Sequence, residues 1–304
     1  MTALLQNQGR KKMYELVFLT ERMGYVDCPA KIGIYIINNE EIALIDSGNN
    51  KGAATKVLRI AEERGWKIRM ILCTHAHADH IGGNRHIQQK TGCKIYAPLG
   101  ELDGVCHPIR EPISLFGARP PKALRHGFLL ADESIAEPLT EAIMPEGLSI
   151  LPLPGHTQDM VGFLSADGAA YLADAMASEG TIGKYGIPFL YDPGIYMETL
   201  DRIASMEAKI FVGSHIAPAE DIAPLARFNR AATEKVIDQI LSAAAEPIGF
   251  EALLARLFES YALTMSIDQY ALVGSTVRSY LSYLLDEGRI ENVIENGMLL
   301  WKSK

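Results

Sequence analysis

The chain has 304 residues, with 29 Lys and Arg against 37 Asp and Glu, a net charge of −8 and an apolar share of 48%. This is an ordinary globular composition, long enough for a large core plus an appendage, and it excludes disorder and a collagen-like repeat. An acidic chain also lacks the positive field needed to coat DNA or RNA.

In chain order, Met1–Lys12 is polar after Leu4 and Leu5, and no apolar run of signal-peptide length follows it. Nor does any stretch approach the roughly 20 apolar residues of a membrane helix. Strands are predicted at Tyr14–Leu19, Lys31–Ile37 and Glu41–Ile45, then a helix over Lys51–Arg64 from the spacing of Ala54, Val57, Leu58 and Ala61. Arg69–Cys73 reads as a short buried strand, Gly83–Lys90 as a helix and Lys94–Ala97 as another strand. From Pro98 to Gly147 six further prolines after Pro98 interrupt every period, which predicts an irregular excursion of the kind that forms lids or contact surfaces. Strands resume at Leu148–Leu153, Val161–Ser165 and Ala170–Ala173, followed by a Gly- and Tyr-rich loop from Ser178 to Gly194. Next come a helix over Ile195–Met206 and a strand over Lys209–Val212. The tail predicts helices at Pro224–Ala245, Phe250–Ser260 and Ser266–Asp286, then a hairpin around Asn296-Gly297. Three helices and a hairpin make a winged-helix-like unit. The expected division is therefore 1–223 and 224–304.

Only eight histidines are present, and they are clustered. Thr74-His75-Ala76-His77-Ala78-Asp79-His80-Ile81-Gly82-Gly83 follows the apolar strand ending at Cys73. Imidazole and carboxylate are the usual ligands of zinc and similar metals. His75 and His77, two apart in an extended loop, can grip one ion, and Asp79 and His80 can face a neighbouring one. Gly82 and Gly83 let the backbone turn close to the site. His156, Asp174 and His215 each sit at the end of a predicted strand, where open sheets place their chemistry. Lys184, Tyr185 and Tyr191 lie in the loop after Asp174 and are candidates for substrate contact. His86, His107 and His126 fall outside the pattern.

With these residues the chain resembles the metallo-β-lactamase superfamily of hydrolases over roughly residues 14–220, through the HxHxDH signature and the later His, Asp and His in order. The resemblance implies an αββα sandwich with a two-metal site at one edge. It assigns His75, His77 and His156 to the first metal, Asp79, His80 and His215 to the second, and Asp174 to both. Asp46 in Leu44-Ile45-Asp46-Ser47-Gly48 matches a further landmark and would orient a ligand histidine. The ions would be zinc, with iron or manganese as alternatives, and a hydroxide bridging them would attack the substrate.

The leading expectation is hydrolysis of a small acyl substrate: a thioester, ester or lactone. A nuclease or phosphodiesterase, a one-iron dioxygenase and a winged-helix regulatory protein are the alternatives. The tail, with 8 Lys and Arg against 10 Asp and Glu over residues 225–304, favours packing or homodimerisation over nucleic-acid binding. Cys28, Cys73, Cys93 and Cys106 form no CxxC pair, so they read as free thiols in a cytoplasmic protein.

Overall fold

The computed structural model describes residues 13–304, so the expectation for Met1–Lys12 lies outside the described residues. The first sheet has seven strands in chain order: β1 (Glu15–Phe18), β2 (Met23–Asp27), β3 (Ile32–Ile36), β4 (Glu41–Ile45), β5 (Lys67–Leu72), β6 (Lys94–Ala97) and β7 (Glu137–Pro138). Pairing is antiparallel up to β4 and parallel from β4 onward. The parallel crossovers are made by α1 (Lys51–Glu63) and by a pair, α2 (Ala78–Ile81) and α3 (Asn84–Thr91). Two further helices, α4 (Leu102–Cys106) and α5 (Arg110–Phe116), precede β7.

The second sheet contains β8 (Leu148–Pro152), β9 (Val161–Ser165), β10 (Ala169–Tyr171), β11 (Ile210–Gly213) and β12 (Ile216–Ala219), in the spatial order β12-β11-β10-β9-β8. Helices α6 (Glu179–Tyr185) and α7 (Pro193–Ala204) connect β10 to β11. The chain closes with α8 (Ala223–Ala243), α9 (Phe250–Ser260), α10 (Ile267–Asp286) and the hairpin β13 (Ile290–Glu295) and β14 (Met298–Ser303).

Alternation along the central strands makes the layers. Tyr35, Ala43, Ile45, Met70 and Leu72 face the second sheet and meet Val161, Phe163 and Tyr171. Their neighbours Ile34, Ile42, Leu44 and Ile71 point the other way, onto Ala54, Val57, Ala61 and Ile87 of α1 and α3. Strands buried on both faces read as continuous apolar runs, as these do. The result is the αββα sandwich that the resemblance implied. The C-terminal helices join the same core: Val236, Ile237 and Ile240 of α8 and Val277, Tyr280 and Leu281 of α10 belong to the inter-sheet cluster.

Several local expectations need correction. Met23–Asp27 is a strand that the sequence reading missed, because Gly24 and its polar flanks hide the pattern; a Cβ on Gly24 would come 2.7 Å from the Val17 carbonyl. The excursion over 98–147 carries α4, α5 and two 3₁₀ turns rather than irregular chain. The segment after Ser178 is not all loop: Ser178 caps α6 by accepting from the Thr181 amide, and three glycines had masked the helix.

Candidate metal centre

The donors converge because each follows the C-terminal end of a strand. Asp46 follows β4, the His75–His80 segment follows β5, His156 follows β8, Asp174 follows β10 and His215 lies between β11 and β12. Two of these ends are bent into the left-handed region, with φ of 63° at Asp46 and 48° at Ala173. Non-glycine residues occupy that region at a cost, and such positions cluster at functional sites. Gly82 and Gly83 have ordinary φ values of −60° and −93°. They are required for closeness instead, since a Cβ would stand 2.5 Å from the Asn49 carbonyl group or 2.4 Å from the Ser47 oxygen.

His75 Nε2 and His77 Nδ1 are 3.0 Å apart, and His156 Nε2 is 3.1 Å from the same His77 nitrogen. On the other side, Asp79 Oδ2 is 3.2 Å from His215 Nε2 and 3.7 Å from His80 Nε2. Asp174 stands between the two groups, 3.3 Å from His80 Nε2 through one oxygen, and 3.4 Å from His215 Nε2 and 3.8 Å from His156 Nε2 through the other. His75, His77 and His156 form one set that could hold an ion, and Asp79, His80 and His215 form another.

The residues fit such ions in two ways. First, His80 Nε2 and Asp174 Oδ1 are buried and face each other at 3.3 Å without a well-formed hydrogen bond, an arrangement that an ion lying between them would satisfy. Second, the outward ring nitrogens are tied down. His80 Nδ1 is 2.8 Å from Asp46 Oδ2, His156 Nδ1 is 3.1 Å from the Phe189 carbonyl, and His215 Nδ1 is 2.9 Å from the Pro29 carbonyl. His75 Nδ1 meets Thr74 Oγ1 at 2.9 Å, and that hydroxyl donates to Asp46 Oδ2 at 2.8 Å. A proton fixed on Nδ1 leaves Nε2 turned inward as the nitrogen an ion would take, the arrangement that metal-binding histidines need. Asp46 therefore orients two histidines rather than one.

Electrostatics separate the two sets. Burial and neighbouring imidazoles push His75 well below its ordinary range, and burial with His156 brings His77 down to about 3. These rings are neutral and ready to donate lone pairs. Burial opposes ionisation of Asp79, yet His80 and the bond from His215 hold its carboxyl at about 2. Asp174 raises His215 to about 10 against the effect of burial. The Asp79–Asp174 pair thus gathers positive charge around itself.

A cleft of about 640 Å³ opens from His77, Asp79, His156, Asp174 and His215. Lys184 and Tyr185 line it, with the Lys184 ammonium donating to the Tyr185 hydroxyl at 3.0 Å. Tyr191 is not among the lining residues; its ring is half exposed, and its backbone N–H donates to the Gly155 and His156 carbonyls. Arg110, Arg119, Lys122 and Arg125 do not line it either, and Arg110 pairs with Asp103 at 2.7 Å. His86 approaches Thr55 on the outside of α1, His107 sits beside Asp103, and His126 bonds Asp268 at 3.1 Å.

Sequence reading missed three contributors. Glu101, 6% exposed, accepts from the Ala76 amide through one oxygen and from Thr157 Oγ1 and the Asp159 amide through the other. It ties the HxHxDH loop to the His156 loop. Its position just past β6, another strand end, was the available signal. Glu111 of α5 accepts from the Ala78 amide at 3.1 Å and lines the cleft, where burial and Asp79 raise its carboxyl well above the ordinary range. Gln269, Leu272 and Val273 of α10 form part of the wall, so the tail is not remote from the site.

A family model described as the metallo-β-lactamase superfamily matches residues 33–215, more than half of the chain. The hydroxyacylglutathione hydrolase of Bradyrhizobium sp. (strain ORS 278) is 29% identical over 150 residues, covering 48% of this chain and 50% of that protein. That of Legionella pneumophila (strain Corby) is 42% identical over 62 residues, 20% of this chain and 24% of that protein. The chain is thus matched to about half, or less, of these relatives' length. A β-lactamase domain protein from Burkholderia ambifaria superposes with a TM-score of 0.74 at 15% identity, covering 98% of this chain and 96% of that one. A metallo-β-lactamase family protein from Thermus thermophilus gives 0.71 at 18% identity, with 96% and 98% covered. At these identities the structural likeness shows the fold alone. On the family match, the chain belongs to the metallo-β-lactamase superfamily.

Proposed function

We propose that the protein is a metal-dependent hydrolase of thioesters, esters or lactones, working with two divalent ions. The observation that carries this reading is the back-to-back arrangement of the donor sets with the buried carboxylate of Asp174 facing both. His75, His77 and His156 would hold one ion, Asp79, His80 and His215 the second, and Asp174 both. Imidazole-rich donors suit zinc, with iron or manganese as alternatives. Bound there, the ions would supply Lewis acidity toward a carbonyl oxygen and make water acidic enough to react near neutral pH.

The chain's own groups do the rest. Asp79, which lines the cleft, presents a carboxylate that can accept a hydrogen bond from the attacking water and so orient it. Lys184 and Tyr185 of α6, which line the cleft, offer donors to a substrate oxygen. Residues 1–223 carry every donor, while 224–304 contribute the α10 wall. The thioester choice is supported by the name of the curated relatives, hydroxyacylglutathione hydrolase. Four free cysteines fit a reducing, cytoplasmic setting, and none of the described helices is long and apolar enough to cross a membrane.

The test is a panel of a thioester, an ester, a lactone, a β-lactam and a phosphodiester, with metal-loaded and chelator-treated protein. Metal-dependent turnover of an acyl compound is expected. Turnover of the phosphodiester alone would overturn the proposal.

A further inference from the structure

We infer that the acyl part of the substrate is an apolar chain, lying in the cleft between the metal donors and α10. This rests on the hydrolase reading above and names its substrate class. Besides the donors the cleft is walled by Leu115 of α5, Leu129, Met176, Ile187, Leu272 of α10 and Phe189, whose ring packs edge-on against His77 and His156. Apolar walls around a pocket of this size gain by covering apolar ligand surface. The donors line the same cleft, so an acyl arm lying in it is continuous with the carbonyl presented to them.

Charge points the same way. Outside the donor set and its histidines, the lining holds one cation, Lys184, and one carboxylate, Glu111. Glutathione carries two carboxylates and an ammonium, and with Lys184 as the one Lys or Arg in the lining at least one carboxylate would be buried without a cation of the protein beside it, at a desolvation cost. The cleft therefore takes the acyl arm and not a glutathione-like leaving group. Asp79, His215 and Phe128 also border a second opening, where Asn49, Asn50, Lys51 and Asp132 offer polar contacts. The polar thiol or alcohol part lies on that side. Water adds across the bond: the carbonyl carbon gains oxygen, the C–S or C–O bond breaks, and the leaving atom takes the proton.

Gly180 of α6 supplies a probe. It lines the cleft, and a Cβ there would meet only Ser178 Oγ, at 3.9 Å. Gly180→Leu therefore adds apolar bulk at a lining position whose Cβ has room. The experiment measures, on metal-loaded protein, calorimetric binding of acetate, hexanoate and decanoate, and hydrolysis of acetyl, hexanoyl and decanoyl thioesters sharing one leaving thiol. Affinity and kcat/KM should each rise about three- to fourfold per added methylene until the cleft is full. In Gly180→Leu the decanoyl-to-acetyl ratio should fall at least tenfold, with metal content and melting temperature unchanged. Chain-dependent carboxylate binding without hydrolysis of any thioester, ester or lactone would sink the hydrolase reading and leave the cleft inference standing. Hydrolysis or binding that ignores chain length, or a Gly180→Leu ratio equal to that of the parent, would overturn the inference itself.

Discussion

The two walls of the cleft are made by different means. On the donor side, short loops leave the ends of core strands and are pinned by buried hydrogen bonds through Asp46 and Glu101. On the opposite side, residues 115–129 of the excursion and α10 meet through a small cluster of Leu115, Leu124, Leu129 and Ala271, with Phe189 and Leu272 packed on it. One half-exposed pair, His126 with Asp268, links them at 3.1 Å. The difference teaches that geometry for chemistry is fixed by the sandwich, while the shape of the bound group is set by segments docked from far along the chain. Such docked walls can change without touching the donors.

The largest expected effect comes from removing a donor. Asp174→Ala should lose metal and lower turnover by about 4 kcal/mol in transition-state stabilisation, roughly a thousandfold, read by metal analysis and steady-state kinetics. Retained metal with near-normal turnover would break the assignment of the donor side. Next is the orienting carboxylate. Asp46→Asn keeps the size and tolerates the left-handed backbone, but weakens the hold on His80 and Thr74; metal affinity should drop about 10–100-fold in a chelator competition. An unchanged affinity would mean that Asp46 serves folding alone.

Glu101→Gln places an N–H₂ group against donors that now meet a carboxylate oxygen. Leaving such groups unsatisfied should cost about 1–3 kcal/mol, seen as a lower urea midpoint. Full stability would indicate that the two loops are positioned without this tie. The smallest effect belongs to the far wall. Asp268→Ala breaks a pair about 40% exposed, so it should cost less than about 1 kcal/mol, leave metal content intact and alter substrate discrimination. Metal loss in this variant would show that the two walls are a single unit.

The donor side was legible in the sequence because each donor follows an apolar strand, and four of them sit within His75–His80. Periodicity marks strand ends, and strand ends in such sandwiches meet at one edge. The far wall was not legible, since nothing local says that Leu272 faces Leu115 or that His126 bonds Asp268 across 142 positions. Glu101 and Glu111 escaped because a carboxylate that accepts backbone N–H bonds looks like any surface glutamate until its partners, 25 to 58 residues away in sequence, are in place. Glycines hid α6, and prolines made the excursion look less regular than it is. In both segments tertiary packing overrode weak local propensity.

The most direct test of the two-ion centre is anomalous diffraction at the zinc edge from crystals of zinc-loaded protein, joined to metal analysis of the same sample. Two peaks are predicted, one among His75, His77 and His156 and one among Asp79, His80 and His215, with Asp174 between them and a content near two ions per chain. A single peak, or two peaks away from these residues, would contradict the account.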